Sequence, residues 1–167
     1  MDSAALLSDA FDRVLESATD VVSGLDTDAL GFRPDDRGNS IAWLIWHLTR
    51  VQDDHVADLA GTEQRWTAGD WFDRFGLDLR PADTGYGHGS DQVSEVVVEG
   101  ALLIGYLTDV TAASKDYLGT LSDADYDRVV DTAWDPPVTL GTRLVSVVND
   151  DTQHIGQAAY VRGLLGR

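Results

Sequence analysis

The chain has 167 residues, enough for one domain with a substantial core and too few for two ordinary ones. Twelve Lys and Arg face twenty-nine Asp and Glu, a formal charge of −17; 25 of the acids are Asp, and Lys115 is the only lysine. That balance argues against binding nucleic acid or an anionic membrane, since both require a concentrated positive patch. A hydrophobic content of 43% with five Trp marks a globular chain wearing an acidic coat, not a disordered acidic tail. The absence of cysteine removes disulfides, zinc–thiolate sites and a cysteine nucleophile. The N-terminus, Met1-Asp2-Ser3-Ala4-Ala5, lacks the basic start and apolar stretch of a signal peptide. No run approaches the roughly 20 apolar residues of a membrane span, so a cytoplasmic location is expected.

Four segments read as helices. From Ser3 to about Gly24, Leu6, Leu7, Ala10, Phe11, Val14, Leu15, Val21 and Val22 recur at spacings of three and four. Asp26 to Asn39 carries Gly31, Pro34 and Gly38 and reads as a loop. Ser40 caps a second helix, from Ile41 to about Leu59, which stops at Gly61. Between Gly61 and Ser90 the periodicity fails and aromatics accumulate, among them Trp66, Trp71, Phe72, Phe75 and Tyr86, the pattern of a long loop that packs down as a lid or partner surface. A third helix is predicted from about Asp91 to Leu118, with Val93, Val97, Leu102 or Leu103, Tyr106, Val110 and Tyr117 on its apolar side. Gly100 and Gly105 weaken it locally, as is tolerated where another element comes close. Ser122 to Pro137 forms a second connection, since Pro136-Pro137 forbids helix, and the last helix runs from about Thr139 to Leu165. With no alternating strand pattern, the architecture is an all-α four-helix bundle in a single domain spanning residues 1–167, with a long aromatic- and Gly-rich loop between its second and third helices.

Two of the four histidines lie mid-helix in apolar surroundings. His47 follows Ile41-Ala42-Trp43-Leu44-Ile45-Trp46, and His154 sits one turn after Asp150. Facing helices that bring His47 against Asp150 and His154 would make a two-histidine, one-carboxylate set of the kind that binds zinc or another divalent ion with positions left open. The ordinary alternatives are a hydrogen-bonded core histidine and a surface ion pair. Asp151, three residues before His154, competes with Asp150 for the role of carboxylate. His55 is about 80° round the helix from His47 and does not easily share its metal; Asp54 lies nearer that stripe, although the solvated face is the plainer place for Asp53 and Asp54. Arg143, seven residues before Asp150, lies roughly 10 Å along the same stripe and is a candidate to orient a substrate carboxylate. Gln157 is a candidate to hydrogen-bond a ligand or a buried polar group, Trp43 reads as core, and His88 as packing under the loop. No phosphate-binding loop, nucleophile elbow or dinucleotide fingerprint is present.

Several motifs taken together resemble a known group: Asn39-Ser40-Ile41-Ala42-Trp43-Leu44-Ile45-Trp46-His47-Leu48, Trp71-Phe72-Asp73-Arg74-Phe75-Gly76, Thr84-Gly85-Tyr86-Gly87-His88, Trp134-Asp135-Pro136-Pro137-Val138-Thr139-Leu140-Gly141 and Asp150-Asp151-Thr152-Gln153-His154-Ile155-Gly156-Gln157. In this order they resemble the DinB/YfiT-like superfamily of metalloenzymes, nearest to its actinobacterial mycothiol-transferase-like branch. The resemblance implies a four-helix bundle, often dimeric, that holds a divalent metal, zinc or another such as nickel, on His47, Asp150 and His154. Many members carry histidine where this chain has Asp150; mycothiol-dependent maleylpyruvate isomerase is similar in using a carboxylate. The implied activity is transfer or isomerisation using a low-molecular-weight thiol such as mycothiol. In the leading reading a metal-bound thiolate attacks a small electrophile, with Arg143 and Gln157, candidates by their spacing, at the active site. Metal-assisted hydrolysis and a non-catalytic interaction bundle are the alternatives.

Overall fold

The computed structural model describes residues 2–166. Four long helices form the bundle: α1 (Ser3–Val22), α3 (Ile41–Ala60), α7 (Gly100–Leu118) and α8 (Leu140–Leu164). Short helices α2 (Thr27–Leu30), α4 (Arg65–Ala68), α5 (Trp71–Phe75) and α6 (Ser90–Glu95) fill the first two connections, and a 3₁₀ turn (Asp123–Asp127) with a hairpin of β1 (Val129–Asp131) and β2 (Val138–Thr139) fills the last. Helices α3 and α1 each pack on both α7 and α8, so α1 and α3 stand diagonally across the bundle. No helix among the described residues is long and apolar enough to cross a membrane.

Helix starts follow the side chains available to satisfy free amides. The Asp2 carboxylate accepts from the Ala5 amide, Ser40 from Trp43 and Thr139 from Thr142. Helix α3 ends at Gly61, whose φ of 67° lies in the left-handed region that a Cβ disfavours. Its first ten residues are all buried, whereas α8 buries one stripe: Leu140, Leu144, Val147, Asp151, Ile155, Ala158 and Val161.

The expected third helix is two elements. Between α6 and α7 the chain is not helical, and Val96 and Val98 are buried while Val97, expected on the apolar face, is half exposed. Three consecutive β-branched residues with alternate burial follow the two-residue period of a strand, which a search at helical spacing averages away. Helix α7 then starts at Gly100, where a Cβ would lie 2.3 Å from Val22 Cγ1 on α1. Gly105 admits the Trp71 ring in the same way, 2.8 Å from where its Cβ would be. The aromatic connection does pack down: Trp66, Trp71 and Phe75 are buried against Tyr106, with ring centroids 5.1, 5.8 and 5.9 Å from it. Tyr86 is the exception and stands in solvent. The hairpin, with Val129 opposite Thr139 and Asp131 opposite Val138, is too short to leave an alternating pattern in sequence.

A buried ionic cluster fastens this connection to the bundle. Arg50 is fully buried, donates to the Asp83 carbonyl and the Tyr106 hydroxyl, and lies 3.6 Å from the Asp53 carboxylate. Asp53, placed by the sequence on the solvated face, is buried instead, because its oxygens accept the Arg65 and Trp66 amides and the Tyr106 hydroxyl. Burial pushes the Asp53 carboxyl up, while Tyr106, the two amides and Arg50 pull it back.

Candidate metal centre

Helix α3 carries Trp43, His47 and, two turns on from His47, His55. Helix α8 carries Arg143, Asp150, His154 and Gln157. Where the two helices face each other, one potential ligand atom from each of His47, Asp150 and His154 lies within 4.8 Å of the other two. The His47 and His154 rings are 4.8 Å apart, centroid to centroid, and His154 Nε2 is 3.7 Å from Asp150 Oδ1.

Both imidazoles are held from behind. His47 Nδ1–H donates to the Thr84 carbonyl, and the ring stacks on buried Trp43 at 4.6 Å. His154 Nδ1–H donates to Gln157 Oε1 at 3.0 Å. With Nδ1 occupied in each ring, Nε2 is left as the unprotonated nitrogen that a cation requires. Burial is the main influence on His47 and holds it below the ordinary histidine value, against the pull of the Thr84 carbonyl, so the neutral form dominates. Asp150 Oδ2 is buried with no hydrogen-bond partner among the described residues. A buried carboxylate oxygen without a partner, beside two imidazoles with free Nε2 atoms, is a donor set that fits a divalent cation.

The loop over the site depends on one glycine. Gly85 has φ 92°, and a Cβ there would lie 2.5 Å from His47 Nδ1 and 3.1 Å from Trp43 Cζ2. Only glycine lets the Thr84 carbonyl come down onto His47. His88 follows on the same loop, stacks on Trp46 at 5.7 Å and accepts a hydrogen bond from Trp43 Nε1, the packing role expected of it. Gly85→Ala is expected to lift this loop and weaken metal affinity about 10- to 100-fold, the usual effect of losing a partner behind a ligating histidine. Zinc titration calorimetry checks this; an unchanged affinity would show that Thr84 does not position His47.

Asp150 and Asp151 part company in the fold. Asp151 belongs to the core stripe of α8, is fully buried, and has no hydrogen-bond partner for either oxygen among the described residues. Burial first, and then the neighbouring Asp150 charge, push its carboxyl well above the ordinary range. Asp150, 100° round the helix, faces His47. Asp54 accepts from Gln64 Nε2 at 2.7 Å and lines the cavity beside His47 without a hydrogen bond to a ligand histidine among the described residues. Gln157, a candidate for ligand binding, is engaged with His154 instead.

The site opens onto two cavities that share Val51, His55 and Asp150. One, about 360 Å³, is lined also by His47, Thr84 and Tyr86; the other, about 380 Å³, extends along α8 past Val147 to Arg143 and Trp134. His55 stays off the metal set and instead meets Arg143, with Arg143 Nη1 at 3.4 Å from its Nδ1, while Arg143 Nη2 pairs with Asp131 at 2.8 Å.

Four long helices with histidine on one and an Asp-x-x-x-His pair on its neighbour define a bundle class whose inward side chains are suited to a metal. The chain belongs to the DinB superfamily, whose family model matches residues 10–158. A conserved protein from Enterococcus faecalis, known from its crystal structure, is similar over 100% of this chain and 99% of its own, with 32% identity and a TM-score of 0.94. No curated protein matches at a significant level.

Proposed function

We propose that this protein is a divalent-metal-dependent thiol S-transferase that uses mycothiol or a similar low-molecular-weight thiol. Members of the superfamily often bind metals. The observation that carries the reading is the Asp150 carboxylate, with one buried unpartnered oxygen, grouped with two imidazoles whose Nδ1 atoms are both tied down. His47, Asp150 and His154 would hold the ion, zinc being one that takes two imidazoles and one carboxylate. Bound there, a divalent cation supplies the positive charge that favours the thiolate, the nucleophilic form of a thiol. Three protein ligands leave room for an exogenous group, and the two adjoining cavities give it access. Gln157 acts as a positioning residue through His154, and Trp43 and Thr84 do the same for His47. With no cysteine in the chain, no internal thiolate competes for the ion.

The test is turnover of an activated aryl chloride by the zinc-loaded protein with and without mycothiol. Thioether formed only when both thiol and metal are present supports the reading. Formation of the phenol at the same rate without thiol would replace it with metal-assisted hydrolysis, in which water takes the place of the thiol.

A further inference from the structure

The cavity beside the candidate metal centre contains a group that the metal set does not use. Arg143 is the only Lys or Arg lining either cavity that adjoins Asp150. Its guanidinium has five N–H donors. One Nη2–H goes to Asp131 and one Nη1–H to His55 Nδ1, and the other donors have no acceptor among the described residues. Its side chain is 23% exposed and lines both this cavity and a smaller one of about 210 Å³ beside Asp58 and Asp131. The contacts that Arg143 does make hold it still: Asp131 sits at the end of β1 and His55 on α3. His55 accepts at Nδ1 and so, when neutral, carries its proton on Nε2, and the residue lines the same cavity. Ser146, one turn beyond Arg143 on α8, adds a hydroxyl with no protein partner among the described residues. Val51, Val138 and Val147 give the wall an apolar stretch under a Trp134 side chain that is 67% exposed, and Thr142 and Asp150 complete the lining.

We propose that this cavity is a carboxylate-binding subsite: Arg143, supported by His55 and Ser146, takes the anionic end of a small molecule whose apolar or aromatic body lies along Trp134 and reaches toward Asp150. A volume of about 380 Å³ is in the range of small-molecule pockets. Among the described residues, Arg143 is the one guanidinium or ammonium along this cleft, so an anion finds no comparable partner elsewhere in it. As the acceptor side of the thiol reaction, the subsite rests on the function proposed above; as a binding site it does not.

The probe is phenylacetate, with phenylacetamide as its neutral counterpart. Binding is followed through the Trp134 indole N–H resonance, identified with Trp134→Phe, in metal-free protein and in His154→Ala. Phenylacetate is expected to bind both proteins with similar affinity and at least about tenfold more tightly than phenylacetamide, a difference of about 1.4 kcal/mol. Arg143→Gln should abolish that preference. Asp131→Asn, which releases the guanidinium from its competing carboxylate, should tighten phenylacetate severalfold, a gain that misfolding cannot produce. Equal affinity for the two probes, or no tightening in Asp131→Asn, overturns the proposal. Loss of phenylacetate binding in His154→Ala also overturns it, because the carboxylate would then be bound at the metal set. None of these arms contains metal or thiol, so their failure is separate from failure of the transferase reading.

Discussion

Alanine in place of His154 is expected to remove stoichiometric divalent metal from the protein. His154 supplies one of only three ligands, and no other histidine joins the set: His55 faces Arg143, and His88 is stacked on Trp46. The affinity should fall by more than the ~10- to 100-fold that a partner behind a ligand carries. Metal analysis of protein purified without a histidine tag, followed by zinc titration, reads the effect directly. Asp150→Asn should behave like His154→Ala, and Asp151→Asn should keep its metal, because only Asp150 faces His47. The Asp151 variant has a second signature. With its folded value raised above the ordinary 3.8, the Asp151 carboxyl keeps its proton on folding, which favours the native state at low pH. That contribution is fully present below the unfolded value and is lost as pH rises from about 4 through the folded one. Metal-free Asp151→Asn should therefore gain stability relative to wild type as pH rises through that window, by up to ~1.4 kcal/mol per pH unit. If Asp150→Asn binds zinc as wild type does, the assignment of the carboxylate is wrong.

The second large effect concerns stability. Asp53→Ala leaves a fully buried Arg50 without its carboxylate, and the Tyr106 hydroxyl and the Arg65 and Trp66 amides without their acceptor. Removing one partner of a buried pair typically costs ~3–5 kcal/mol, a large share of the ~5–15 kcal/mol that holds a domain together. Urea unfolding monitored by Trp fluorescence measures this. The midpoint should fall steeply in Asp53→Ala and less in Tyr106→Phe, where a single hydroxyl is lost and the Arg50–Asp53 pair stays. Arg50 also reaches the Asp83 carbonyl, just before Thr84 and Gly85 on the loop that orients His47. The cluster thus supports the site through the loop, and zinc affinity should drop in Asp53→Ala before the bundle unfolds. A midpoint within experimental error of wild type would mean the cluster does not anchor the connection.

Much of this site was legible before folding because helices convert spacing into direction. Asp150 and His154 are four apart and share a face, and His47 is an isolated imidazole in an apolar run, which is enough to make the three candidates for one site. Gln157, three residues after His154, was visible by the same rule, although its partner was not. The Val96-Val97-Val98 break was misread because a third-helix pattern on either side hid a three-residue change of period. Asp53 was misread because its partners, Tyr106 and the Arg65 and Trp66 amides, come from other elements, and a carboxylate's surroundings cannot be inferred from its own helix.

By itself, then, the sequence determined the four-helix architecture, the cap at Ser40, the stop at Gly61 and the stripe carrying Asp150 and His154. Each is a local matter of periodicity or of a side chain bonding an amide three residues away. Only the tertiary structure decided that Asp151 turns into the core while Asp150 faces His47, that Thr84 reaches His47 across 37 residues of chain, and that Arg143 is held between His55 and Asp131. The reason is rotational. Periodicity fixes the angles between side chains on one helix, but how far that helix turns about its axis against its neighbours is set by the packing of all four at once.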